Sequence, residues 1–395
     1  MTVSIWQTST EQPLYETDVV IIGAGLVGCA AAYYLRQAGR YCLLLEARDV
    51  GLGASSRNAG FMLSGLDLHY HQAEARYGEA AAREIWELSW LTHAFWRQVG
   101  TAQGVEIRQE GSWLLAEDAQ EAAELEQAAR RMEACGFTCE FKAGDVLSRG
   151  FAAALHQPGD GALHPYALVQ ALYRSSGAAL MANSEVYALE SQGSSVMVLS
   201  RLARVRARYV LICVNGYAAG LDPYFASKII PTRAQCLATG PLAQRALEGI
   251  GYADYGYYYF RDLPDGGFLL GGGRKHHKAQ EGNTTDDRTS AEVQSALENY
   301  LKQHFADVAA QASIVRRWAG IMGFTADGLP LVGALPERPN IGFAIGLNGH
   351  GLSLGQRWRS ALLNTCSMEW RLAFSMPGAW IKIGRGAVAL PPTWP

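Results

Sequence analysis

The strongest pattern along the chain is an unbroken apolar run. Val19, Val20, Ile21 and Ile22 follow Asp18 with no polar residue between them. A β-branched run without alternation predicts a strand covered on both faces, as in a parallel sheet. It leads into Gly23-Ala24-Gly25-Leu26-Val27-Gly28, and residues 29–37 then predict a helix that stops at Gly39. A second apolar strand is predicted over 41–45, with Glu46 at its end. Farther on, 209–214 predicts another apolar strand, closed by Asn215-Gly216-Tyr217. The stretch 88–145 reads as helix-rich, and Leu88, Leu91, Phe95 and Val99 approximate one helical face. Residues 257–261 and 265–273 predict a pair of strands. Alternation points Tyr257 and Tyr259 to one side and Tyr258 to the other.

The opening strand, glycine turn, helix and strand form a nucleotide-binding unit with a physical task for each part. Gly23 lets the chain turn sharply out of the strand, Gly25 lets backbone approach a pyrophosphate, and Gly28 lets the helix pack closely on the sheet. The helix N-terminus offers free N–H groups and the positive end of its dipole. Glu46 falls close to the ~20-residue spacing expected of a carboxylate on a ribose hydroxyl, which disfavours a 2′-phosphate. Ala47 and Arg48 follow it. The turn alone does not separate NAD from FAD.

The next segment does. Gly51 to Gly60 is rich in Gly, Ala and Ser, with Gly53-Ala54-Ser55-Ser56-Arg57-Asn58-Ala59-Gly60 at its centre. This loop resembles that of the D-amino-acid-oxidase-like FAD family, which includes glycine oxidase, sarcosine oxidase and γ-glutamylputrescine oxidase. The resemblance continues in family order. Val186 sits where an adenine contact is usual, and Asn215-Gly216 resembles a second FAD-contacting turn. Trp318-Ala319-Gly320-Ile321-Met322 is followed by Gly346-Leu347-Asn348-Gly349-His350-Gly351, a turn that in the family faces the flavin pyrimidine ring. It covers about 17–355, most of the chain.

The resemblance implies an α/β protein with two domains. A discontinuous Rossmann-like FAD-binding domain would use 1–87, 146–220 and 313–395, and a mixed β-sheet substrate domain 88–145 and 221–312. It implies non-covalent FAD and oxidation of the C–N bond of a small amine, of γ-glutamylputrescine, polyamine or secondary-amine type. Hydride passes to flavin N5, the imine hydrolyses, and electrons go to oxygen, giving hydrogen peroxide. Two alternatives stay open: a dehydrogenase of amines or D-amino acids that feeds a quinone or protein acceptor, and a non-catalytic accessory flavoprotein. The cofactor's chemistry requires orientation and electrostatics from the protein rather than a catalytic triad.

Departures from the family narrow the substrate. Glycine oxidase carries substrate-gripping arginines at the positions of Met322 and Gly349, so a free α-amino acid fits less well, since a buried carboxylate needs a partner. Arg261 and Arg317 are other candidate cations. Tyr257, Tyr259, Arg261, Met322 and His350 are the substrate-pocket candidates. The tyrosine face either lines a cavity that guides an amine by cation–π contact or is a packed sheet face. Arg57 stands where dimethylglycine dehydrogenase relatives attach flavin through His, and Leu269 where sarcosine oxidase has an oxygen-activating Lys.

Composition adds exclusions. A net charge of −3 and pI near 6.3 argue against nucleic acid as a partner. Seven scattered cysteines point to reduced thiols and a cytoplasmic location, with no leader or membrane span expected. Cys135 and Cys139 lack a second pair at zinc spacing, and His69, His71, His276 and His277 lie in polar stretches expected to be exposed, so no metal is expected. Residues 356–395 depart from the family. They hold Trp358, Trp370, Trp380 and Trp394 among mostly basic charges, and read as a helix over 357–372 followed by a tail. Such a tail suits docking on a partner subunit or peripherally on a membrane, or reflects an altered reading frame. The oligomeric state is left open.

Overall fold

The computed structural model describes residues 12–355. Residues 356–395, and with them Cys366 and every expectation for the tail, lie outside the described residues. Two eight-stranded sheets and a three-stranded one carry the fold.

The first sheet has a parallel centre in the order Ala179–Met181, Leu43–Leu45, Leu14–Ile22, Arg204–Ile212, Arg338–Ile345. The opening strand is covered on both sides, as its apolar run predicts. Val19 and Ile21 meet Ala30, Leu35, Leu168 and Leu172 of the helices Leu26–Gln37 and Pro165–Ser176. Val20 and Ile22 pack with Val205, Val210, Phe225 and Phe343 on the other face. The first helix begins at Leu26, three residues earlier than expected. Only Gly23 must take a positive φ, +98°, so the rest of the glycine turn is free to enter the helix. A Cβ on Gly28 would overlap the carbonyl oxygen of Gly23, which fixes how closely helix and strand approach.

The second sheet runs Ile314–Phe324, Ile230–Thr239, Phe268–Gly272, Tyr258–Asp262, Ile250–Ala253, Ser112–Ala116, Ala153–Gln157, Glu140–Ala143. Its outer face is filled by Phe260, Phe268 and Leu270 against Leu297, Tyr300 and Phe305 of the flanking helices. The inner face turns toward the first sheet's glycine-rich crest. Boundaries at 146 and 313 group Ala153–Gln157 and Ile314–Phe324 with the first sheet. Their hydrogen-bond ladders lie wholly in the second.

The long helix Glu79–Ala102 buries a different stripe from the one expected. Ile85, Trp86, Ser89, His93, Trp96 and Val99 face inward, while Leu91 is 44% exposed and Leu88 and Phe95 are half-buried. Trp86 packs edge-on against Tyr70, and Trp96 Nε1 donates to the Leu352 carbonyl at 2.7 Å. Tryptophan, serine and histidine carry the stripe that a reading of leucine spacing assigned one step around the helix. No helix among the described residues is long and apolar enough to cross a membrane.

Candidate active site between the two sheets

The crest of the first sheet is built mainly from backbone. The helix at Leu26 has Gly25 as its N-cap and no acid in its own first turn, so the negative charge nearest its positive end comes from another segment. Glu46 is fixed beside it: its carboxylate accepts from the Ala24 N–H at 2.8 Å and the Arg48 N–H at 2.9 Å. Ser55 Oγ accepts from the Leu26 N–H at 2.8 Å, which lays the loop from Gly53 to Gly60 over the helix end. A Cβ on Gly25 would reach to 2.9 Å of that hydroxyl, so a side chain there would push Ser55 aside. Asn58 stiffens the loop, donating to the carbonyls of Ala54 and Ser55 and accepting from the Gly60 N–H. The chain before Val186 runs alongside: Ser184 N–H donates to the Glu46 carbonyl and Asn183 N–H to that of Arg48.

Two turns close the crest from the C-terminal side. Asn215 Oδ1 accepts from the N–H groups of Gly346 and Leu347 at 2.9 and 3.3 Å. Asn348 N–H donates to the Gly323 carbonyl, and its Oδ1 accepts from the Thr325 N–H at 2.8 Å. His350 is buried, with Nδ1 3.0 Å from the Asn348 carbonyl. A Cβ on Gly349 would lie 3.5 Å from Met322 Sδ, so the two positions at which glycine oxidase was expected to carry arginines are neighbours, and both are uncharged here.

The inner face of the second sheet is built from side chains. Ladder register aligns Leu114, Tyr252, Tyr259, Gly271, Cys236 and Trp318 in one row across the sheet. The Tyr259 ring occupies the space a side chain at Gly271 would need. Its hydroxyl lies 3.6 Å from Cys236 Sγ, and Tyr252 donates to Asp67 at 2.8 Å with its ring 6.4 Å from that of His350. Burial pushes both phenols well above the ordinary value, so they stay neutral. Tyr258 lies on the outer face, stacked 3.7 Å from Tyr300. The alternation of Tyr257 and Tyr259 against Tyr258 is the observed one.

The remaining candidates are distributed as follows. Arg261 is buried, and its guanidinium donates to the carbonyls of Ala59, Leu163 and Asp262, which ties the glycine-rich loop to the sheet. Burial lowers its pKa to about 10. Arg317 points outward, to Gln294 and Glu298. Arg57 donates to Asp287 at 2.6 Å and to the Ala319 carbonyl, and Trp318 Nε1 donates to the Arg57 carbonyl at 3.0 Å. The ring of Tyr257 is already faced by the protein's own cations: Arg274 at 5.1 Å, Lys278 at 4.8 Å and Lys275 at 5.9 Å. His69 is buried rather than exposed, because it starts the helix Tyr70–Tyr77, and burial lowers its pKa to about 4. Cys135 lies beside Glu74, whose carboxylate is paired with Arg131.

Tyr252, Asp67 and Arg274 were missed by the sequence reading. The expected strand stopped at residue 273, one short of Arg274, and Tyr252 reaches this face only through its pairing with Tyr259.

Comparison with known proteins gives a consistent answer. The family described as DAO, FAD dependent oxidoreductase, matches residues 18–356. The probable oxidoreductase OrdL of Rhizobium meliloti (strain 1021) is 25% identical over 378 residues, 88% of this chain and 85% of that protein. The gamma-glutamylputrescine oxidoreductase of Escherichia coli (strain K12) is 24% identical over 356 residues, 85% of this chain and 80% of its own. The crystal structure of glycine oxidase from Geobacillus kaustophilus superposes with a TM-score of 0.74 at 23% identity, covering 87% of this chain and 92% of that one.

Proposed function

Because the chain belongs to the family of FAD dependent oxidoreductases, we propose that it holds FAD along the crest of the first sheet and oxidises the C–N bond of a small amine received on the inner face of the second. The observation that carries this reading is the facing of two dissimilar surfaces: a glycine-lined helix end in which a Cβ at Gly25 would crowd Ser55 Oγ, and a face with two neutral tyrosines.

The residues present fit FAD. Backbone N–H groups at Gly25 and Val27, either side of the Leu26 N–H that Ser55 Oγ holds, suit a pyrophosphate, and Glu46 suits ribose hydroxyls. The segment from Ser184 to Val186 flanks the adenine end, and the loop from Gly53 to Gly60 runs along the cofactor. Trp318, Gly320 and the turn from Gly346 to Gly351 lie toward the ring end. Arg57 is committed to Asp287, which suits a non-covalent cofactor. Bound FAD supplies the two-electron acceptor for the C–H bond next to nitrogen. The protein's own share is to orient the amine, exclude water and keep Tyr252 and Tyr259 protonated beside it. In this reading the first sheet forms the FAD-binding unit and the second the substrate unit. The free cysteines Cys29, Cys42, Cys135, Cys139, Cys213 and Cys236 suit a reducing cytoplasm.

Oxygen is the proposed electron acceptor. A second reading, a dehydrogenase with another acceptor, is favoured by Leu269, an apolar residue in register with Arg261. Steady-state assays of the FAD-loaded protein with an amine panel separate the two. Peroxide formed in step with amine consumption supports the oxidase; turnover only with an artificial acceptor selects the dehydrogenase. Absence of turnover with either would contradict both.

A further inference from the structure

We infer that Arg274 is a specificity-determining residue that receives a carboxylate borne by the amine substrate; this rests on the amine-oxidising reading above and deepens it. Arg274 follows Gly272 and Gly273, both at positive φ. A Cβ on Gly272 would overlap the Tyr257 carbonyl, so this close approach is what brings Arg274 against Tyr257. Its guanidinium carbon then lies 5.1 Å from the Tyr257 ring centre and 5.3 Å from that of Phe324. Among the described residues no carboxylate and no hydrogen-bond acceptor meets it.

The other arginines around the site are engaged. Arg233 holds Glu281, Arg57 holds Asp287, Arg317 holds Glu298, and Arg261 holds backbone carbonyls. A half-buried guanidinium set against aromatic rings, with unpaired N–H edges, is a fork ready for a planar anion. Its position is right for a substrate. Phe324 is two residues from Met322 on one strand and so shares its side. The hydroxyls of the half-buried Tyr252 and Tyr259 both lie within reach of the Arg274 charge. Tyr252 is also bonded to Asp67, so one tyrosine lies under the influence of a cation and an anion, as suits a zwitterionic amine.

Neighbouring charge agrees. Lys278 stands 4.8 Å from the Tyr257 ring that Arg274 also faces, while Lys275 is paired with Asp254. Such a pair of cations disfavours a simple polyamine and attracts an anion. With Met322 and Gly349 uncharged, the carboxylate is received at Arg274 instead.

The test uses the FAD-loaded full chain, titrated with propionate and with the neutral isostere propionamide, read from the shift of the visible flavin band. Wild type is expected to bind propionate and discriminate against propionamide. Arg274→Gln should weaken propionate roughly 30-fold or more, and Arg317→Gln should leave it unchanged. If Arg274→Gln loses its flavin, Arg274→Lys takes its place; it keeps the charge without the fork and should bind about tenfold more weakly than wild type. Equal affinity for propionate and propionamide, or propionate binding indifferent to both Arg274 variants, overturns the inference. A flavin-loaded chain that amines reduce, with Arg274 irrelevant, sinks this inference alone. A chain that takes up no flavin sinks the parent reading with it.

Discussion

The crest of the first sheet and the inner face of the second are joined where Trp318 and Arg261 donate to the carbonyls of Arg57 and Ala59, but the two are made differently. The crest is backbone, drawn from consecutive residues: Gly23 to Gly28, Glu46 to Arg48, Gly53 to Gly60. The face is side chain, drawn from strands far apart in sequence, and a single row unites Leu114, Tyr252, Tyr259 and Trp318. The crest has no room for an added atom at Gly23, Gly28 or Gly60, whereas a side-chain surface is freer to change its chemistry. On this account the crest sets the cofactor and the face sets the substrate.

The largest effect should come from breaking the crest. Gly28→Val drives a side chain into the Gly23 carbonyl, and helix and strand cannot both keep their places. Loss of bound flavin after gel filtration is expected, with destabilisation of about 3 kcal/mol or more. Full flavin content in that variant would mean the crest is looser than described. Next in size is the bond between the regions. Glu281 is buried and holds Arg233 and Gln235, fixing the stretch whose Asp287 binds Arg48 and Arg57 of the cofactor side. Glu281→Ala leaves a buried guanidinium short of its partner, at a cost of about 3–5 kcal/mol in thermal unfolding, and flavin should be held more weakly although no crest residue has changed. Unaltered flavin affinity would show the two regions to be independent.

A smaller effect is expected under acid. His93 is fully buried in the helix Glu79–Ala102, neither ring nitrogen has a partner among the described residues, and burial lowers its pKa to about 3. A depressed value means the unfolded chain takes the proton first. The stability this neutral ring contributes is therefore complete above the unfolded value near 6.5 and falls as pH drops toward 3. His93→Leu should remove that slope, a difference of roughly 2 kcal/mol between pH 7 and pH 5. Parallel stability–pH curves for the two proteins would contradict it. Least of all, Arg317→Gln breaks a half-exposed pair with Glu298 and should cost under about 1 kcal/mol, with flavin reduction unaffected. A marked loss of activity there would move the substrate face to the wrong side of the sheet.

How far each region was legible follows from how it is built. The crest could be read because its motifs are contiguous and glycine has few other reasons to recur at those spacings. Three of the strands around it, those near 19–22, 41–45 and 209–214, were legible from their apolar runs. The face was not. Alternation gave the sides of Tyr257, Tyr258 and Tyr259, but Tyr252 joins them through a ladder, and Arg274 lies past the end of its strand. Arg261 looked like a substrate cation, yet three of its five N–H donors go to backbone carbonyls, an arrangement no spacing reveals. Ala153–Gln157 and Ile314–Phe324 were grouped with the FAD-binding domain by the resemblance, while sheet membership is decided by pairing at long range. The helix stripe failed for a chemical reason: Trp86, His93 and Trp96 form the buried side where leucines were counted.

The measurement that bears most directly on the central claim is an anaerobic absorbance titration of the purified, FAD-loaded protein with amines and amino acids. Bleaching of the flavin band by a carboxylate-bearing amine is the predicted result; a chain that takes up no FAD, or a bound flavin that no amine reduces, would contradict the account.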